Sequence, residues 1–125
     1  MKRALFALVG AVLLLALNPH SPVFTESDAS QPIAVRAGET FFIALGSNPS
    51  TGYSWTQTIS DPKLVSYEGA VRQNAASAMP GAPGQQIFIF NANRSGSVTI
   101  LFAYAKSFDA NAQAGRTLSY TVQVQ

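Results

Sequence analysis

Ser97-Val98-Thr99-Ile100-Leu101-Phe102-Ala103-Tyr104-Ala105-Lys106 places Val98, Ile100, Phe102 and Tyr104 at every second position. Successive side chains of a β-strand point to opposite faces, so this spacing predicts a strand with one face turned to a core. The last stretch repeats the pattern, with Leu118, Tyr120, Val122 and Val124 alternating with Ser, Thr and Gln. Upstream, Gln86 to Ala92 is apolar on both faces, as a central strand requires, and Asn93-Arg94-Ser95-Gly96 is the turn that follows it. Nearer the N-terminus, Thr40 to Leu45 carries Phe41, Ile43 and Leu45 on one face, and Tyr53 to Ile59 carries Tyr53 and Trp55 on one face. Pro32 to Arg36 is a short strand, and Lys63 to Val71 is one strand or a pair of short ones. Turn residues separate these runs at Ala37-Gly38-Glu39, Asn48 to Gly52 and Asp61-Pro62. About seven strands, with no helical periodicity after residue 32, predict an all-β, two-sheet antiparallel sandwich. Two connections, residues 74–84 and 109–115, are longer than such a sandwich needs, and long loops commonly carry function.

The rest of the 125-residue chain is its N-terminus. Met1-Lys2-Arg3 is positive, and Ala4 to Leu17 is an apolar run of 14 residues. That is short of the ~20 residues of a membrane span but suits the core of an export signal. Residues 1–29 are therefore expected to be a signal peptide with a polar lead-in, and 30–125 the folded domain. Ser27 and Ala29 favour a cut after Ala29, with retention as an uncleaved anchor as the alternative. The expected destination is periplasmic or secreted, with no membrane association after signal removal. The chain has no cysteine. Lipoprotein attachment, thiol chemistry and disulfides are thereby excluded, and the fold must stand on its core.

Charge and chemistry exclude several functions. Without Lys2 and Arg3 the chain holds six basic and six acidic residues, and a cut after Ala29 leaves six against four. The basic residues are scattered singly, so nucleic acid is not an expected partner. The single histidine, His20, lies in the export segment. The domain thus has no imidazole for a catalytic triad or a metal site, and no cofactor is expected. Glu39, Asp61, Glu68 and Asp109 are dispersed at turns and strand edges. No enzyme is predicted.

Asn48-Pro49-Ser50-Thr51-Gly52-Tyr53-Ser54-Trp55 is the most informative motif. Proline fixes one backbone angle and extends the residue before it, while Gly52 can take the positive φ that turns the chain into the next strand. The result is a narrow, uncharged, stiff loop, suited to entering a cleft with little entropy loss and no charge to desolvate. Taken alone, these residues are also what any turn is made of. The whole string resembles the first inhibitory loop of the chagasin-like family of cysteine-peptidase inhibitors, Asn-Pro-Thr-Thr-Gly-Tyr-x-Trp, with Ser50 in place of the first Thr. That family's second landmark, a Gly-x-Gly-Gly segment before a strand, has a counterpart in Gly81-Ala82-Pro83-Gly84, where Pro83 replaces a glycine. Its third, Tyr-x-Arg-Pro-Trp, is met by Tyr104-Ala105-Lys106-Ser107-Phe108, altered at its last three positions.

The resemblance spans residues 32 to 125. It implies an immunoglobulin-like sandwich that inhibits papain-like cysteine peptidases reversibly and competitively, as a monomer, with three loops at one end. Asn48, Pro49, Ser50, Thr51, Gly52 and Tyr53 would cover the target's catalytic pair, Thr51 deepest. Gly81, Ala82, Pro83 and Gly84, and Lys106, Ser107 and Phe108, would flank the cleft. Lysine lacks arginine's planar fork and phenylalanine lacks tryptophan's N–H, so the third loop differs from the family's in what it can grip. Each landmark also has a plainer reading: Trp55 and Tyr104 as core, residues 81–84 as slack. The competing functions are an exported module binding a carbohydrate or envelope partner, and a membrane-tethered structural domain.

Overall fold

The computed structural model describes residues 21–73, 84–106 and 115–125. Among them are eight strands: β1 (Val23–Phe24), β2 (Ile33–Val35), β3 (Thr40–Ser47), β4 (Tyr53–Ile59), β5 (Val65–Gln73), β6 (Gly84–Ala92), β7 (Gly96–Lys106) and β8 (Arg116–Val124). They form two four-stranded sheets, in the orders β1-β3-β6-β5 and β2-β8-β7-β4. The alternation expected for Ser97–Lys106 holds from Val98 to Phe102, with Val98, Ile100 and Phe102 buried and Thr99 and Leu101 exposed, and fades at Ala103, Tyr104 and Ala105, which are all half-buried. Lys63–Val71 proves to be one strand, β5, displaced by a bulge between Tyr67 and Gly69. Gly69 takes φ +138° there, which accounts for the broken alternation and spoils this sheet edge as a template for another chain.

The core lies between the sheets. Phe41, Ile43 and Leu45 of β3 and Phe88 and Phe90 of β6 face Trp55, Ile100, Phe102, Tyr120 and Val122 of the second sheet. Phe102 is the centre of this packing, edge-on to Phe88 at 5.0 Å, Tyr120 at 5.6 Å, Phe90 at 6.2 Å and Trp55 at 6.5 Å between centroids. Such aromatic contacts add roughly 0.5–1.5 kcal/mol each beyond area burial, which helps a small domain stand without disulfides.

Two pairings depart from the antiparallel expectation. β1 runs parallel to β3 and β2 parallel to β8. Both strands precede the antiparallel body of the fold and join its outer edges. β1 and the 3-10 turn Glu26–Ser30 (η1) lie within the segment read as a polar lead-in, yet they pack on the sandwich. Phe24 meets Phe41 at 6.1 Å, Phe42 N–H donates to Pro22 O at 2.9 Å, and the buried Tyr120 hydroxyl donates to Thr25 O at 2.8 Å. No α-helix occurs among the described residues, only η1 and a one-turn 3-10 segment, η2 (Pro49–Thr51).

Candidate functional site

Strand register fixes which loops share an end of the sandwich. Ser47, the last residue of β3, pairs with Gly84, the first of β6, and Gln73 at the end of β5 pairs with Gln85. In the other sheet Tyr53, the first residue of β4, pairs with Lys106, the last of β7, and Tyr104 pairs with Arg116 at the start of β8. The β3–β4 connection joins the two sets. The stems of all three candidate loops therefore meet at one end. Gly81, Ala82, Pro83, Ser107 and Phe108 lie outside the described residues.

The 48–52 turn is held by its own side chains. Asn48 Oδ1 accepts hydrogen bonds from Ser50 N–H at 3.2 Å and from the Ser50 hydroxyl at 2.6 Å. The Thr51 hydroxyl donates to Asn48 O at 2.7 Å and accepts from Tyr53 N–H at 3.3 Å, and Thr51 N–H also reaches Asn48 O at 3.2 Å. An Asn side chain bonding two residues ahead is the usual device for fixing a turn, and a proline at position 49 has its own φ preset near the helical value. Gly52 has φ +83°, a left-handed conformation that sends the chain into β4. Ser50 and Thr51 stand exposed at the tip.

Beneath the turn lies an aromatic stack. Tyr104 sits between Trp55 (4.8 Å between centroids) and Tyr53 (5.3 Å), and its hydroxyl accepts from Asn48 N–H at 3.1 Å. Tyr104, from the third-loop stem, thus supports the first loop as well as packing. Lys106 Nζ lies 5.8 Å from the Tyr53 ring centre, a cation–π distance. Trp55 is 3% exposed, and its core reading holds.

Three further residues shape this end, and none carries a pattern in the sequence. Gln86, buried in β6, crosses the sandwich to β4: its Oε1 accepts from Trp55 N–H at 2.8 Å and its Nε2 donates to Trp55 O at 3.4 Å. Glu26 accepts from Gly46 N–H at 3.1 Å and pairs with Arg116 at 2.6 Å. The Arg116 guanidinium holds the Glu26 carboxyl below its usual value of 4.5, helped by the Gly46 N–H and opposed by partial burial. Burial, with the Glu26 and Asp28 charges, pushes the Tyr120 hydroxyl up to about 12, so it remains a donor at all physiological pH. No group of three His, Asp or Glu able to hold a metal occurs among the described residues.

These features define a domain that presents a rigid turn from the end of a sandwich. The chain belongs to the chagasin family: residues 34–122 match Chagasin family peptidase inhibitor I42. It is a peptidase inhibitor, not an enzyme. Amoebiasin-2 of Entamoeba histolytica is 24% identical over 104 residues, covering 82% of this chain and 85% of that protein. The crystal structure of the cysteine protease inhibitor EhICP2 from Entamoeba histolytica superposes with a TM-score of 0.74 at 22% identity, covering 86% of this chain and 100% of that one. PbICP-C, solved in complex with falcipain-2, gives 0.61 at 18% identity, covering 87% and 94%. At these identities the structural likenesses speak for the fold.

Proposed function

We propose that the chain is a reversible, competitive inhibitor of papain-like cysteine peptidases that blocks the active-site cleft with the loop end of its sandwich. The observation that carries this reading is the 48–52 turn: uncharged, narrow and internally bonded before any partner arrives. A cleft accepts such a tip with no charge to desolvate and little order left to impose. Membership of a peptidase-inhibitor family supports it. So do the fold neighbours, one a cysteine protease inhibitor and another solved in complex with falcipain-2.

In this reading Asn48, Pro49, Ser50, Thr51, Gly52 and Tyr53 enter the catalytic centre, Thr51 foremost. The segments Gly81–Gly84 and Lys106–Phe108 lie along the cleft walls. No covalent step is involved. The positive N-terminus and apolar run support export to the periplasm or the medium. Titration of the purified protein against papain and a cathepsin-like peptidase tests the proposal. Inhibition approaching one to one is expected. An absence of inhibition of both at micromolar concentration would instead favour a binding module for a carbohydrate or envelope partner.

A further inference from the structure

Four groups close a ring around the base of the 48–52 turn. Glu26 Oε2 accepts from Gly46 N–H at 3.1 Å, and Gly46 O accepts from the Trp55 indole N–H at 2.7 Å. The Arg116 guanidinium carbon lies 5.4 Å from the Trp55 ring centre, and its Nη2 returns to Glu26 Oε1 at 2.6 Å. Gly46 and Trp55 are the two stems of the turn, and Arg116 is a stem of the 107–114 connection. A carboxylate from the N-terminal segment therefore fastens three stems at once.

The backbone explains why a side chain is needed. Phe42 N–H points to the β1 side of β3, where Pro22 O receives it. Residues two apart on a strand face the same way, so Gly46 N–H also points to that edge, beyond the end of β1 at Phe24. With no strand to pair it, the carboxylate takes the role of the missing neighbour. Gly46 has no side chain to obstruct this approach: a Cβ added there would lie 3.3 Å from Glu26 Oε2. The acceptor is itself fixed, since the Tyr120 hydroxyl holds Thr25 O, one residue before Glu26, at 2.8 Å.

We propose that Glu26 is a positioning residue for inhibition, setting the pose of the 48–52 turn through Gly46 and through Arg116 over Trp55. The proposal rests on the cleft-insertion reading above. It adds that a residue absent from the loops, in a segment whose composition reads as leader, sets how ready the turn is to bind.

The test compares the full chain with Glu26→Ala, Glu26→Gln and Asp28→Ala, the last removing the local bond to Thr25 N–H while leaving the Tyr120 tie and the Glu26 bonds to Gly46 and Arg116 in place. Inhibition constants and thermal midpoints are measured, together with the amide resonances of Gly46 and Thr51 in the free protein. Glu26→Ala is expected to weaken inhibition about threefold to tenfold, the scale of one lost charge-assisted bond partly compensated by the rest of the turn. Glu26→Gln, which keeps an oxygen for Gly46 N–H, is expected to recover most of that loss. Asp28→Ala should lower the thermal midpoint while leaving the inhibition constant within about twofold. The Thr51 resonance should move in Glu26→Ala and stay in Asp28→Ala. Wild-type inhibition by Glu26→Ala, a Glu26→Gln as weak as Glu26→Ala, or an equal loss in Asp28→Ala would overturn the proposal. If the wild-type chain inhibits nothing, the functional reading falls, and the Thr51 resonance alone then decides whether Glu26 positions the turn.

Discussion

Thr51 tests cleft insertion most directly, because its hydroxyl works inside the turn while its side chain stands exposed at the tip. It donates to Asn48 O at 2.7 Å and accepts from Tyr53 N–H at 3.3 Å. Three substitutions separate these roles. Thr51→Ser keeps the hydroxyl and should inhibit within about threefold of wild type, a difference under about 0.7 kcal/mol. Thr51→Val keeps the shape and removes both bonds. A net worth of about 0.5–1.5 kcal/mol per bond, reduced by exposure, gives a stability loss of about 1 kcal/mol and a modestly weaker inhibitor. Thr51→Asp can still accept from Tyr53 N–H, but it turns a carboxylate toward the Asn48 carbonyl. Its stability loss should match that of Thr51→Val, a fall in thermal midpoint of about 4–8 °C for a domain of this size. Binding separates the two. In a water-excluding cleft the unpaired charge should weaken inhibition at least tenfold, or about 1.4 kcal/mol, beyond the effect of Thr51→Val. Inhibition constants against papain, with thermal melts of each variant, provide the measurement. If Thr51→Asp inhibits as well as wild type while Lys106→Ala abolishes inhibition, the central wedge is wrong and the third loop carries recognition.

Other perturbations probe the supports. Gln86→Leu should destabilise the protein by about 1–3 kcal/mol in urea unfolding, since it orphans Trp55 N–H in the core; a loss under about 0.5 kcal/mol would refute its bridging role. The Glu26 carboxyl is held below its ordinary value, so the folded state binds its proton less readily than the unfolded chain. Its contribution is therefore present above the ordinary value of 4.5 and lost as pH falls through the lower folded value. The gap in urea midpoint between wild type and Glu26→Gln should shrink from pH 7 to pH 3, and a gap independent of pH would refute this. If the proposed export removes a leader, mass spectrometry should find residues 22–30 retained, because a cut after Ala29 would remove β1, the Thr25 anchor and Glu26; a mature chain beginning at Ser30 would contradict this.

The strands were legible because burial on one face writes itself into the sequence at period two. Phe41, Ile43 and Leu45, or Tyr120, Val122 and Val124, need no partner to be recognised. The 48–52 turn was legible for a related reason: Asn, Pro, Ser, Thr and Gly settle its geometry within five residues, by bonds between neighbours. β1 was hidden because a two-residue strand has no period, and because its role comes from Phe41 and Phe42 some eighteen residues later. Glu26, Gln86 and Arg116 were hidden for the same physical reason. A lone polar residue looks solvated until its partner is known, and theirs lie 20, 31 and 90 positions away. Parallel pairing of β1 and β2 was likewise invisible, since alternation records which face is buried and not which way the neighbour runs.

The pairing of β2 with β8 also sets a timetable. Ala37 N–H donates to Gln125 O at 2.9 Å and Gln125 N–H to Val35 O at 2.8 Å, so β2 is secured by a residue just past β8. On a ribosome adding about 5–20 residues per second, the early strands wait several seconds for their partner. Closing so long a loop is also entropically slow. No disulfide can secure the early strands in the meantime, since the chain has no cysteine. The base of the 48–52 turn is among the last regions to set, because Arg116 and Tyr120 arrive only with β8.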